Sequence, residues 1–138
     1  MIAYLDASVL LRVILGQPER LPEWPEIDLG VGSALLEVEC LRALDRLRIR
    51  EDLSPEDLAA RREVVYRLTA EMEVVEPNWP VLRRAGQPFP TPLGTLDAVH
   101  LATALLWRDS RGQDLVLATH DRALALAARA SGLTAIGA

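Results

Sequence analysis

The chain has 138 residues, half of them apolar, which suits a single domain that buries its own core and leaves no room for a second. No apolar run reaches the roughly 18 to 20 residues of a membrane span, and Met1 to Asp6 lack a basic leader region, so a soluble, cytoplasmic protein with no membrane partner is expected. The net charge of −5 argues against holding nucleic acid by overall charge, and because all 15 basic residues are arginine, the lysine of a P-loop nucleotidase is missing too.

The first predicted element is Ile2–Leu5, a short apolar run of the kind used by a buried parallel strand. Asp6-Ala7-Ser8 then opens a helix over Val9–Leu15, with Ser8 as its cap, and Gly16-Gln17-Pro18 ends it. Residues 17 to 27 hold Pro18, Pro22 and Pro25 around Trp24, which predicts a loop with at most one helical turn. A weak strand follows at Leu29–Gly32. From Ser33 onward Leu35, Leu36, Cys40, Ala43, Leu44 and Leu47 recur at helical spacing as far as the charged run Arg48–Asp52. Cys40, the only cysteine, has no disulfide partner in the chain and is expected to pack. Ser54-Pro55-Glu56-Asp57 combines a cap, a first-turn proline and acids that suit the helix dipole, predicting a helix to Thr69 or Met72. Residues 33 to 72 would form a helical hairpin whose exposed sides can face a partner.

Glu73–Glu76 is a third strand stopped by Pro77-Asn78, Trp79–Arg84 a short helix, and Gly86–Gly94 a rigid loop with Pro88, Pro90 and Pro92. The next helix, capped by Gly94 or Thr95, carries Leu96, Val99, Ala102, Ala104, Leu105 and Leu106 to Trp107. Leu115–Thr119 is the fourth strand, Arg122–Ser131 the last helix and Leu133–Ile136 the final strand. This alternation predicts an α/β fold, a three-layer α/β/α sandwich around a mostly parallel sheet, with residues 1 to 138 as one domain.

Four carboxylates stand at strand ends or early in the helices that follow: Asp6, Glu39, Asp97 and Asp121. In an open parallel sheet the functional crevice lies beyond the carboxyl ends of the strands, which makes Asp6 and Asp121 neighbours. Helix dipoles favour Glu39 and Asp97 at the same edge. Each acid belongs to a segment otherwise built for burial, where an uncompensated charge is costly, and oxygen-only ligands favour Mg²⁺ or Mn²⁺ over zinc. One or two such ions would polarise a phosphate oxygen, activate a water and stabilise the leaving 3′ oxygen, the chemistry of a metal-dependent phosphodiester-cleaving enzyme. With these acids set aside the rest of the chain is close to neutral, so local basic patches matter more than the sum. Response-regulator receivers and haloacid-dehalogenase-type phosphatases also place acids at strand ends, but they are expected to use a lysine, and this chain has none.

Plainer roles compete. Asp6 fits a helix cap, and so does Asp121 together with Thr119. Asp97, flanked by Leu96, Ala98 and Val99, has no such structural reason to be there. Glu37 and Glu39 point about 200° apart on a helix, one toward the core edge and one toward solvent, and the residues alone do not choose between them.

With the acids placed, the chain resembles a PIN domain of the VapC type, the toxin of a type II toxin–antitoxin pair. The resemblance rests on Tyr4-Leu5-Asp6-Ala7-Ser8-Val9-Leu10-Leu11, on Ser33-Ala34-Leu35 with Val38-Glu39-Cys40-Leu41-Arg42-Ala43-Leu44, on Thr95-Leu96-Asp97-Ala98-Val99-His100-Leu101-Ala102-Thr103-Ala104, and on Ala118-Thr119-His120-Asp121-Arg122-Ala123-Leu124. The acid three residues before Arg42-Ala43-Leu44 selects Glu39. The resemblance implies a PIN-like fold, Mg²⁺- or Mn²⁺-dependent endoribonuclease activity, and Asp6, Glu39, Asp97 and Asp121 as metal ligands and catalytic residues. It also implies a homodimer and a cognate antitoxin clipped into a groove beside the site. Ser8 and Thr119, each two positions from an acid, would orient ligands or water, and Pro88 to Pro92 would shape the RNA entrance.

Arg42, Arg46 and Arg122 follow proposed ligands on helices and are candidates for RNA phosphate contacts, with ion pairing to the acidic cluster as the plain alternative. His100 shares a helix face with Asp97 and is expected to pack or hydrogen-bond structurally, since a metal-activated water needs no histidine base. His120 is expected to be a turn residue without a special role. Trp24, Trp79 and Trp107 are expected in the core or an antitoxin groove rather than as base-stacking platforms. Two other functions fit the same fold: a PIN nuclease of RNA processing, normally fused to further RNA-binding domains, and a catalytically silent PIN fold that only binds a partner. Intact acids at all four positions speak against the silent form.

Overall fold

The structure is a computed structural model describing residues 1 to 138. Five strands, β1 (Ile2–Leu5), β2 (Leu29–Ser33), β3 (Glu73–Val75), β4 (Val116–Ala118) and β5 (Thr134–Ile136), form one sheet in the order β3-β2-β1-β4-β5. Every pairing is parallel, with Ala3 opposite both Gly30 and Val116. The helices are α1 (Ala7–Ile14), α2 (Leu35–Ile49), α3 (Pro55–Ala70), α4 (Trp79–Ala85), α5 (Thr95–Arg111) and α6 (Arg122–Ala130). The expected three-layer α/β/α sandwich is the observed one.

Side-chain alternation along the strands builds the layers. In β1, Ala3 and Leu5 join Val9, Leu10, Ile14, Leu36, Cys40, Leu44 and Val65 of α1, α2 and α3 on one face. Tyr4 points the other way, into a cluster with Leu101, Leu105 and Trp107 of α5 and Leu124 of α6. β4 divides likewise, Leu117 to the second cluster and Ala118 to the first. The Gly32 position shows how closely the first layer approaches: a Cβ there would lie 2.8 Å from Met72 Cε and 3.0 Å from Leu36 Cδ2.

Caps agree with the sequence at α3, where the Asp57 amide donates to Ser54 Oγ at 3.1 Å, and at α5, which follows Gly94. α5 runs past Trp107 to Arg111, and Gly112 ends it with φ +61, a left-handed turn that glycine adopts without strain. The expected start of α1 needs correction. The helix begins at Ala7 with Asp6 in the cap position, and Ser8 lies inside the first turn with its hydroxyl donated to the Asp6 carboxylate, the strongest acceptor nearby. Strand ends were also overestimated: β3 stops at Val75 and β4 at Ala118, because the chain turns into the crevice one residue earlier.

Among the tryptophans, Trp107 is buried and its indole donates to Glu73 Oε1 at 3.1 Å, and Trp24 packs against the first cluster. Trp79 is outside the core, which leaves only the surface alternative of the two expected for it. It is 63% exposed, with the Arg83 guanidinium 5.2 Å from its ring centre, because it opens a short helix whose buried contact is Val81 instead. No helix is long and apolar enough to cross a membrane.

From β1 the chain winds outward through β2 and β3, then returns across the sheet to β4 and β5. The connections therefore leave β1 and β4 in opposite directions. A crevice opens between their carboxyl ends, the place where such sheets bind ligands.

Candidate functional site

Asp6 leaves β1 at this switch point, its amide donating to Ala118 O at 3.1 Å. Only 6% of it is exposed. Its Oδ2 accepts hydrogen bonds from Ser8 Oγ at 2.7 Å and from Thr119 Oγ1 at 2.8 Å. The same hydroxyls accept from the main chain, Ser8 Oγ from the His120 amide at 2.9 Å and Thr119 Oγ1 from the Asp121 amide at 3.0 Å. Each hydroxyl has a single hydrogen, and the carboxylate takes it. The turn after β1 is thereby clasped to the turn after β4, with the orientation of Asp6 set by Ser8 two positions along and by Thr119, 113 positions away in sequence.

Asp121 serves the plain role and keeps capacity for another. Its Oδ1 caps α6 by accepting from the Leu124 amide at 3.0 Å, while the residue as a whole is exposed. Glu37 and Glu39 are both partly buried, which corrects the expected division between core edge and solvent. Glu37 accepts from Thr69 Oγ1 of α3 at 3.3 Å, because α3 covers its side of α2. Glu39 turns to the crevice, where its Oε1 lies 2.5 Å from His100 Nε2.

His100 is fully buried on α5. Its Nδ1 faces the Tyr4 hydroxyl at 2.7 Å, the two rings meeting edge to face with centroids 5.8 Å apart. Burial disfavours the imidazolium, but the Glu39 hydrogen bond and the charges of Glu39, Asp6 and Asp97 outweigh it and raise the His100 pKa. Burial also raises the Tyr4 phenol, which stays neutral. Potential ligand atoms of Asp6, Glu39 and His100 lie within 4.8 Å of one another.

Asp97, the third residue of α5, is pushed up to about 6, first by burial and then by the negative charges of Asp121, Asp6 and Glu39, with His100 opposing. The charges of Asp6, Glu39 and Asp121 thus reach Asp97, while of the four predicted acids only Asp6 and Glu39 belong to the close cluster with His100. Carboxylates held near one another and partly out of water form the electrostatic setting that a divalent cation relieves, and an oxygen-rich donor set suits Mg²⁺ or Mn²⁺.

The arginines behave differently from the acids. Arg42 donates to Asp45 Oδ2 at 2.9 Å, and Arg48 holds the other oxygen, which lowers the Asp45 carboxyl. The alternative of pairing with the acidic cluster is thus wrong for Arg42, since a carboxylate one turn along its own helix is nearer. Arg42 and Arg46 line, with Ala7, Leu11, Val38 and Leu96, a groove of about 360 Å³ that includes Glu39. Arg122 is exposed beside Asp121 without an ion-pair partner. His120 holds the C-terminal segment, its Nδ1 2.9 Å from Gly137 O. The residue that sequence reasoning missed is Tyr4. Its one signal is a phenol within an otherwise aliphatic strand.

A doubly wound parallel sheet with carboxylates gathered at its switch point defines an α/β protein with an acidic ligand crevice. The sequence matches the PIN domain over residues 3 to 132, and the chain belongs to that family. Three solved structures share the fold. A toxin–antitoxin complex from Klebsiella pneumoniae matches with TM-score 0.65 and 17% identity over 89% of this chain and 90% of that one. VapBC2 from Rickettsia felis, bound to a DNA fragment from its promoter, matches with TM-score 0.68 and 11% identity over 98% and 97%. VapBC-1 from nontypeable Haemophilus influenzae matches with TM-score 0.62 and 18% identity over 98% and 96%. The curated proteins contain no match to this sequence.

Proposed function

We propose that this PIN domain is a divalent-metal-dependent endoribonuclease of the VapC type, the toxin half of a toxin–antitoxin pair. The observation that carries the reading is the cluster at the switch point: Asp6 and Glu39 bring potential ligand atoms within 4.8 Å of each other, and the charges of these acids and of Asp121 help to raise the neighbouring Asp97 carboxyl, a setting that a bound cation relieves. PIN domains are generally nucleases, and three neighbours in fold come from toxin–antitoxin complexes, which supports an antitoxin partner.

Asp6, Glu39, Asp97 and Asp121 would hold Mg²⁺ or Mn²⁺. The bound ion supplies Lewis acidity that polarises the scissile phosphate, activates a water and eases departure of the 3′ oxygen. Ser8 and Thr119 keep Asp6 in one orientation by donating to a single carboxylate oxygen. Arg42 and Arg46, which line the groove that includes Glu39, and exposed Arg122 next to Asp121 meet RNA phosphates and offset the repulsion from the acids. The groove next to Glu39, with exposed Val38 and Leu96, accommodates the antitoxin, and the active unit is a homodimer.

The test is incubation of total RNA with the purified chain in Mg²⁺ or Mn²⁺, in EDTA, and with the Asp97→Asn variant. Discrete fragments that require both the metal and Asp97 are expected. Cleavage that survives EDTA or Asp97→Asn would overturn the assignment.

A further inference from the structure

We propose that His100 and Tyr4 form a buried positioning relay that fixes the Glu39 carboxylate for the cation, with His100 itself outside the coordination sphere. The inference rests on the metal reading above. It begins with Glu39, whose side chain has three rotatable bonds and projects from α2 toward the crevice. Without a restraint it would sample several orientations. The restraint is Nε2 of His100, 2.5 Å from Oε1, which leaves Oε2 without a hydrogen bond.

An ionised carboxylate only accepts, so Nε2 must carry the hydrogen of this contact. Nδ1 lies 2.7 Å from the Tyr4 hydroxyl, which donates to the neutral ring and accepts from the imidazolium, so the contact persists in either protonation state. Both partners are fully buried, Tyr4 on the central strand β1 and His100 on α5. Three elements therefore converge on one oxygen: β1 holds the ring through Nδ1, α5 carries the ring, and α2 receives the bond.

The same contacts decide against His100 as a ligand, although its ring nitrogen lies close to the acids. Nε2 is committed to Glu39 and Nδ1 to Tyr4, so neither nitrogen has a lone pair directed at an ion. Outer partners of this kind commonly alter metal affinity by about 10- to 100-fold when removed.

The experiment measures Mn²⁺ affinity by calorimetry for the full chain and for His100→Leu, His100→Gln and Tyr4→Phe, with circular dichroism confirming the fold. His100→Leu is expected to weaken Mn²⁺ binding by about tenfold or more. His100→Gln, whose amide nitrogen replaces Nε2, should recover most of it. Tyr4→Phe should give a smaller loss in the same direction, and it decides the matter if His100→Leu does not fold. Electron spin-echo spectroscopy of bound Mn²⁺ should show no directly coordinated nitrogen. Equal affinity in folded wild-type, His100→Leu and Tyr4→Phe chains would overturn the relay alone, as would a directly bound nitrogen. A wild-type chain that binds no Mn²⁺ would overturn the metal reading and the relay together.

Discussion

Asp97 links protonation, stability and the proposed metal binding in one side chain. Its folded pKa, about 6, lies above that of an ordinary carboxyl, so the folded chain holds this proton more tightly than the unfolded one. In the metal-free protein its contribution to stability is complete below the ordinary carboxyl pKa and is lost as pH rises through about 6. At neutral pH the ionised cluster opposes folding. Asp97→Asn is therefore expected to raise metal-free stability by about 1–2 kcal/mol, a figure reduced for solvent screening of a half-buried group, measured as the urea midpoint in EDTA. A midpoint that falls would count against the charge argument. Protons and cations compete for the same oxygens, so Mn²⁺ affinity should decline below pH 6 by on the order of tenfold per unit, which calorimetry between pH 5 and pH 7 checks. Asp97 was legible in the sequence because an acid inside an apolar helical run has few reasons to exist. His100 was legible as a packed or hydrogen-bonded residue but its partners were not, since Tyr4 lies 96 positions away and no local pattern joins them.

Among the elements, those with self-contained signals were readable. Ser54-Pro55 announced α3 because cap and first turn are adjacent in sequence, and the unbroken apolar run Ile2–Leu5 announced β1 as a strand buried on both faces. Local chemistry misled at α1, where Ser8 has the residue type of a cap but a carboxylate two positions earlier takes its hydrogen. Nor does sequence periodicity show that Glu37 is covered, because that depends on Thr69 of a different helix. The tight seat of α2 on β2 has a measurable consequence. Gly32→Ala would place a methyl group against Leu36, which the sheet holds in place, and Met72, whose terminal methyl swings away more easily. A loss of about 1–3 kcal/mol is expected, read from chemical denaturation. An unchanged midpoint would mean that the helix layer shifts freely.

For the whole molecule, charge distribution decides how the proposed RNA substrate would be held. The chain is net negative, so affinity would have to come from a few guanidinium groups around the crevice and from the proposed cation within it. Replacing Arg42, Arg46 and Arg122 together with alanine should flatten the salt dependence of single-stranded RNA binding by about 0.7 in log–log slope per lost contact. Fluorescence anisotropy with the Asp97→Asn chain, where cleavage does not interfere, gives that slope, and an unaltered value would remove these residues from the interface.

Cys40 follows Glu39 directly, is completely buried, and has its thiol pushed up to about 12 by burial and by the nearby charges of Glu39, Asp6 and Glu37. In the closed protein it offers an alkylating reagent neither a thiolate nor a path. The sole cysteine is therefore a built-in reporter of opening in the α2 layer, needing no engineered label. A cation bound only by the closed form would slow its modification in proportion to occupancy. Mass spectra of samples alkylated in Mn²⁺ and in EDTA would thus weigh metal occupancy without any RNA present.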